Sequence, residues 1–140
     1  MNPYRSASQA YAQDSVLTAS GEKLVVMLYD GLARFLARAA AALRAEDIAG
    51  AGTALNRAGA ILDELLSTLD PAAGEITQRL ADIYLFCKRE LLAAQLKRDP
   101  NRIERVAKLL AELREAWATI AAAAPEATIG RPTLGAGAQA

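Results

Sequence analysis

The stretch DIAGAGTALNRAGAILDELLSTLDP, residues 47–71, sets Ile48, Ala51, Leu55, Ala58, Leu62, Leu65 and Leu69 at alternating steps of three and four. That spacing returns to one side of a helix on every turn. The stripe is narrow, like the seam of a helix packed against other helices. Gly50, Gly52 and Gly59 each weaken the helix by about 1 kcal/mol relative to alanine, so packing has to hold it. Asp47 stands where an N-cap belongs, and Asp70-Pro71 marks a turn after it.

Outward from this segment the same period recurs three times. Residues 21–44 carry Leu24, Leu28, Gly31, Phe35, Ala39 and Ala42 on one stripe, widened by Val25, Leu32, Leu36 and Leu43. Ser20 is the N-cap candidate, and Glu22 adds negative charge near the helix start. Residues 74–97 carry Ile76, Leu80, Ile83, Cys87, Leu91 and Ala94. Residues 100–124 follow Asp99-Pro100, a capping carboxylate and a proline suited to a first turn, and carry Ile103, Val106, Leu110, Leu113, Trp117 and Ile120. With residues 48–69 these make four helices joined by short links, which place successive helices side by side and antiparallel. The reading is all-α: an antiparallel up-and-down four-helix bundle over 20–124, with Phe35 and Trp117 as large anchors. Residues 1–19 read as an N-terminal extension with weak apolar points at Tyr4, Tyr11, Val16 and Leu17. The Pro, Gly, Ala and Thr of 125–140 predict a disordered tail.

The sequence has 140 residues, 53% of them apolar, with 16 basic and 16 acidic residues and hence no net charge. Without a basic excess it does not read as a nucleic-acid binder or a basic membrane-surface helix. No apolar run approaches the roughly 20 residues of a membrane span. The opening Met1-Asn2-Pro3-Tyr4-Arg5 lacks the pattern of a signal peptide. A soluble cytosolic protein without membrane insertion is expected. Histidine is absent. Its absence removes the commonest general acid–base, the commonest transition-metal ligand and every Ser-His or Cys-His pair. No cofactor or metal is expected.

The remaining chemical candidates are weak. Asp63 and Glu64 are adjacent on a helix and diverge by about 100°, so they do not share a site. Cys87 falls on a core stripe and reads as a small buried hydrophobe. Lys97-Arg98 complements a helix C-terminus. Arg34, Arg57 and Arg79 lie on polar faces, which argues against a histidine-free enzyme. The larger signal is apolar: Val26, Met27, Tyr29, Leu85, Leu92, Leu96 and Leu109 fall outside the narrow seams, and Tyr84 also falls outside the stripe of its helix. Such residues either broaden the core or line grooves for an amphipathic partner.

Several runs carry a family resemblance: Ala10-Tyr11-Ala12-Gln13-Asp14-Ser15-Val16, Ser20-Gly21-Glu22-Lys23-Leu24, Met27-Leu28-Tyr29-Asp30-Gly31 and Leu113-Arg114-Glu115-Ala116-Trp117. Ile61-Leu62-Asp63-Glu64-Leu65 and Gly74-Glu75-Ile76 add to it. Over about residues 4–122 the chain resembles the flagellar secretion chaperones of the FliS family. The resemblance implies a non-enzymatic chaperone in the bacterial cytosol. It would bind the C-terminal segment of flagellin, prevent premature polymerisation and aid delivery to the flagellar type III export apparatus. An export-gate protein is a further implied partner, and a homodimer is expected where flagellin is absent. The resemblance also implies that the N-terminal extension packs on the bundle near the flagellin site; Tyr11 occupies the position of the family's N-terminal tyrosine, with Val16 and Leu17 beside it as gate or docking residues. Leu28, Tyr29, Tyr84, Leu85, Leu92 and Leu96 are the groove candidates. The sequence departs from the family pattern at Gly21, where proline is common, at Gln95, and at Phe86-Cys87-Lys88. The alternative reading is a generic self-associating helical interaction module.

Overall fold

The computed structural model describes residues 21–123. The expected extension 1–19 with Tyr11, Val16 and Leu17, the Ser20 cap and the tail 125–140 lie outside them. All regular structure among the described residues is helical: α1 (Gly21–Arg44), α2 (Ile48–Ser67), a single 3-10 turn (Pro71–Ala73), α3 (Glu75–Lys97) and α4 (Pro100–Ala123). The chain divides into two compact units, Tyr29–Glu112 and the parts flanking it.

Within Tyr29–Glu112 the links reverse the chain with a two-residue device. At the end of α1, Glu46 takes a left-handed φ of 58°. The N–H of Asp47 then donates to the carbonyl of Ala42 at 2.8 Å and closes the helix end. The Asp47 carboxylate in turn accepts the N–H of Gly50 at 2.9 Å and opens α2. The end of α3 repeats this. Arg98 has φ 52°, the Asp99 N–H donates to Ala94 at 2.9 Å, and Asp99 accepts the N–H of Asn101 at 3.0 Å. One residue in an unfavourable conformation is thus held by an aspartate that serves two helices.

The α2–α3 link is different. The hydroxyls of Ser67 and Thr68 donate to the carbonyls of Glu64 and Leu65, both at 2.7 Å. They satisfy the last turn locally. Asp70 precedes Pro71 and is held extended, at φ −98° and ψ 113°. The helix therefore stops at Ser67, and Leu69 lies in the turn. Asp70 caps the 3-10 turn through the Ala72 N–H at 2.9 Å. Gly74, at φ 84°, then starts α3.

All four helices feed the core of this unit. Leu32, Leu36, Ala39 and Leu43 of α1 are buried, with Leu55, Ala58, Ile61, Leu62 and Leu65 of α2. Cys87, Leu91 and Ala94 of α3 and Ile103, Val106 and Leu110 of α4 complete it. Each fully buried Leu or Ile contributes roughly 1.5–3 kcal/mol, enough to outweigh the glycines of α2. Gly31 is buried where α1 meets α2: a Cβ there would sit 3.4 Å from Cδ1 of Ile61, which shows the close approach. Side-chain pairs bridge adjacent helices: Arg44 at the end of α1 with Glu104 near the start of α4, and Lys88 in the middle of α3 with Asp63 of α2. The packing is that of an antiparallel helical bundle.

The largest fully buried side chains are Tyr29 and Tyr84. Their hydroxyls hydrogen-bond each other at 2.6 Å, with ring centroids 6.4 Å apart and planes tilted by 55°. Phe35, expected as a core anchor, is only half-buried. The guanidinium groups of Arg38 and Arg57 lie 5.3 and 5.8 Å from its ring centroid. In the flanking unit Trp117 is likewise half-buried.

Candidate partner-binding surface

α3 turns Tyr84, Cys87, Leu91 and Ala94 inward. Helical geometry then sends Leu85, Leu92 and Leu96 to the opposite side. They are 44%, 57% and 74% exposed, and Phe86 next to them is 44% exposed. Leaving three leucines in water forgoes roughly 1.5–3 kcal/mol each relative to burial. Contiguous exposed apolar side chains of this kind mark interaction surfaces.

Beside this ridge runs a groove of about 150 Å³ between α2 and α3, lined by Leu55, Asn56, Gly59, Lys88, Leu91, Leu92 and Gln95. Gly59 keeps it open, since a Cβ there would meet nothing within 4 Å. At one end Lys88 donates to Asp63 in an ion pair that bridges the two helices. The acidic residue Asp63 therefore serves packing between α2 and α3.

A second groove, of about 660 Å³, lies between α1 and α4. Its walls are Ala33, Ala37, Ala40, Ala41, Ala107 and Ala111, over Leu36 and Ile103. Small side chains leave the two helices bare enough for a trough. One end is closed by Arg44, which donates two hydrogen bonds to Glu104, at 2.6 and 3.0 Å, and one to Asn101 at 3.2 Å. These bonds from the guanidinium hold the Glu104 carboxyl below the usual carboxylate range and raise Arg44. Sequence reasoning missed this trough. The signal was the run of alanines recurring at helical spacing in two helices, which reads equally as a plain helix former.

Of the other groove candidates, Leu28, Tyr29 and Tyr84 are 7%, 2% and 1% exposed. Tyr29 and Tyr84 belong to the packed interior of the Tyr29–Glu112 unit and Leu28 is buried in the flanking one, whereas Leu85, Leu92 and Leu96 share an outer face. The two tyrosines fell outside a narrow seam in the sequence, but the buried stripe is wider than that seam. Their hydroxyls find each other, so the polar atoms do not keep the rings at the surface. Cys87 is fully buried. Burial, with Glu90 nearby, pushes its thiol up to about 11, so the reactive thiolate is suppressed. Arg34, Arg57 and Arg79 are exposed and converge on no enclosed pocket. Among the described residues no group of His, Cys, Asp or Glu is arranged to hold a metal ion. No described helix is long and apolar enough to cross a membrane.

Comparison with known proteins shows which family this helical bundle belongs to. The model of the family described as "Flagellar protein FliS" matches residues 4–124. The chain belongs to the FliS family. It is 40% identical over 121 residues to the flagellar secretion chaperone FliS of Salmonella typhimurium, covering 82% of this chain and 90% of that relative. It is 38% identical over 112 residues to the FliS of Campylobacter jejuni, covering 79% and 88%. It is 34% identical over 116 residues to the FliS of Escherichia coli, covering 79% and 85%. The FliS family is one of chaperones and not of enzymes.

Proposed function

We propose that this FliS-family chain is a flagellin export chaperone of the bacterial cytosol. It holds the C-terminal segment of flagellin, prevents premature polymerisation and aids delivery to the flagellar export apparatus, where an export-gate protein is its further partner. Family membership carries the function. The exposed leucines of α3 carry the location. Leu85, Leu92 and Leu96 are the anchors that a flagellin helix covers, with the α2–α3 groove beside them receiving its side chains. Tyr11, Val16 and Leu17 act as gate or docking residues in the N-terminal segment. Leu28, Tyr29 and Tyr84 contribute from beneath by holding the bundle rigid.

The physical logic is coupled folding. A flagellin tail that packs into a helical filament core is amphipathic and associates with other tails when bare. Folding such a segment onto the chaperone buries roughly 1,000–3,000 Å² and spends about 2–5 kcal/mol on ordering, which leaves release possible. The test mixes the full chain with a peptide of about the last 40 residues of the same organism's flagellin and follows heat and helicity together. One-to-one binding with a gain of helix and a negative heat-capacity change is expected. A chain that only dimerises through its leucines, with no affinity for the peptide, is instead a self-associating helical module.

A further inference from the structure

Arg44, Lys88 and Arg102 each hold a carboxylate on a neighbouring helix. Arg34, Arg38 and Arg57 hold none among the described residues. All three are exposed, and Arg38 and Arg57 meet on the α1–α2 face. Arg38 and Arg57, from different helices, both lie over the Phe35 ring, at 5.3 and 5.8 Å from its centroid. Arg34 follows α1 back toward Gly31, where a Cβ would be 3.6 Å from Nη2 of Arg34. Gly31 and Phe35 are successive turns of the α1 stripe that faces α2. The result is two guanidinium groups stacked on a half-buried aromatic ring and a third one turn earlier on α1, none of them paired with a carboxylate among the described residues, on a chain with no net charge.

Two features distinguish this cluster from a solvated helix face. Gathering like charges costs energy, and a structural role would supply a carboxylate to offset it. Stacking on Phe35 also holds two of the forks in place, so less side-chain freedom is lost when they bind. A guanidinium over a ring keeps its N–H donors available for a carboxylate oxygen pair. Carboxylates at positions i and i+4 of a helix are neighbours on its surface and can address two such forks at once. A nucleic acid fits less well, because three cations on an otherwise neutral chain neutralise too few phosphates.

We propose that Arg38 and Arg57, stacked on Phe35, with Arg34 one turn earlier on α1, form a second docking surface that takes an acidic helical segment of a partner protein. The surface is separate in chemistry from the leucine ridge of α3: it selects charge, whereas the ridge selects apolar anchors. The chaperone can therefore hold its apolar client and be recognised by an acidic partner at the same time.

The test uses the full chain, labelled with 15N, and follows the arginine side-chain Nε–H signals. The probe is an alanine-based helical peptide with glutamates at i and i+4, and the control is the same peptide with glutamine. The glutamate peptide is expected to shift Arg38 and Arg57 saturably, and more weakly as salt rises. Arg34→Gln/Arg38→Gln/Arg57→Gln should weaken the peptide by about tenfold or more while leaving the melting temperature and flagellin-peptide binding unchanged. Arg38→Lys/Arg57→Lys keeps the charge but loses the forks, and should recover only part of the affinity. Equal shifts with the glutamine peptide, no shift with either peptide, or tighter binding of an oligothymidylate than of the glutamate peptide would each overturn the proposal. Loss of flagellin-peptide binding in the triple glutamine variant would also overturn it, by merging the two surfaces. A normal glutamate-peptide response in a chain that ignores flagellin would leave this surface standing and remove only the flagellin reading.

Discussion

The two grooves of the Tyr29–Glu112 unit offer opposite kinds of surface. Between α1 and α4 the chain is cut back to alanine, which leaves a trough of about 660 Å³ and no large apolar side chain standing out of it. Between α2 and α3 the groove is only about 150 Å³, but leucines rise beside it to as much as 74% exposure. A trough receives the partner's large side chains, and a ridge inserts its own. The difference teaches that exposed apolar area is not the only mark of a helix-binding surface. Missing side-chain volume is another mark, and it leaves no exposed leucine to reveal it.

The largest test of this contrast removes the ridge. Leu92→Asp together with Leu96→Asp should abolish measurable binding of the flagellin peptide, because each central anchor is worth about 2 kcal/mol or more. Both side chains lie outside the core, so the melting temperature should hold steady, in line with the roughly 0.5 kcal/mol typical of surface changes. Calorimetric titration beside a thermal melt checks both halves. Equal loss of stability and binding would mean that the ridge is core.

Filling the trough comes next. Ala37→Leu puts volume where a partner side chain would sit. If the flagellin segment extends into the α1–α4 groove, affinity should fall by about tenfold, since overfilling a packed contact costs roughly 1–3 kcal/mol. Unchanged affinity with unchanged stability would restrict binding to the α2–α3 side.

A smaller effect separates interior from surface. Tyr84→Phe removes one hydroxyl of the buried pair and should lower stability by about 1 kcal/mol, read as a shift in the urea midpoint, with peptide affinity unchanged. A large loss of affinity would place Tyr84 among the contact residues after all.

The smallest effect concerns the closed end of the trough. Hydrogen bonding from Arg44 lowers the Glu104 carboxyl in the folded chain. Unfolding then takes up a proton at acid pH. The stabilisation from this pair is present above the unfolded glutamate value of about 4.3 and is lost as pH falls through the lower folded value. Arg44→Gln should flatten the acid limb of a stability–pH curve slightly, with the small loss seen at neutral pH and vanishing in acid below the folded value, as befits an exposed pair.

The fold was legible in the sequence because its signals were local. The three-four steps of residues 48–69 needed no knowledge of their surroundings. Asp47 and Asp99 announced helix starts through chemistry that lies within three residues. The end of α2 was harder, because hydroxyl back-bonding by Ser67 and Thr68 competes with a periodic pattern that continues to Leu69. Leu85, Leu92 and Leu96 could be singled out, since they depart from the stripe of their own helix. Tyr29 and Tyr84 departed from their stripes in the same way and yet are interior. What separates them from the leucines is the hydroxyl–hydroxyl bond between residues 55 apart in sequence, a fact of tertiary structure. The alanine trough and the arginine cluster around Phe35 were illegible for the same reason, because each exists only where two helices meet.

The central claim is that the outer leucines of α3 carry the flagellin segment. Methyl-labelled NMR of the full chain with the flagellin peptide tests it most directly. Large saturable shifts are expected at the methyls of Leu85, Leu92 and Leu96, with those of Leu62 and Leu65 in the core left almost in place. Binding that leaves the three α3 leucines unshifted, with its changes concentrated elsewhere, would contradict it.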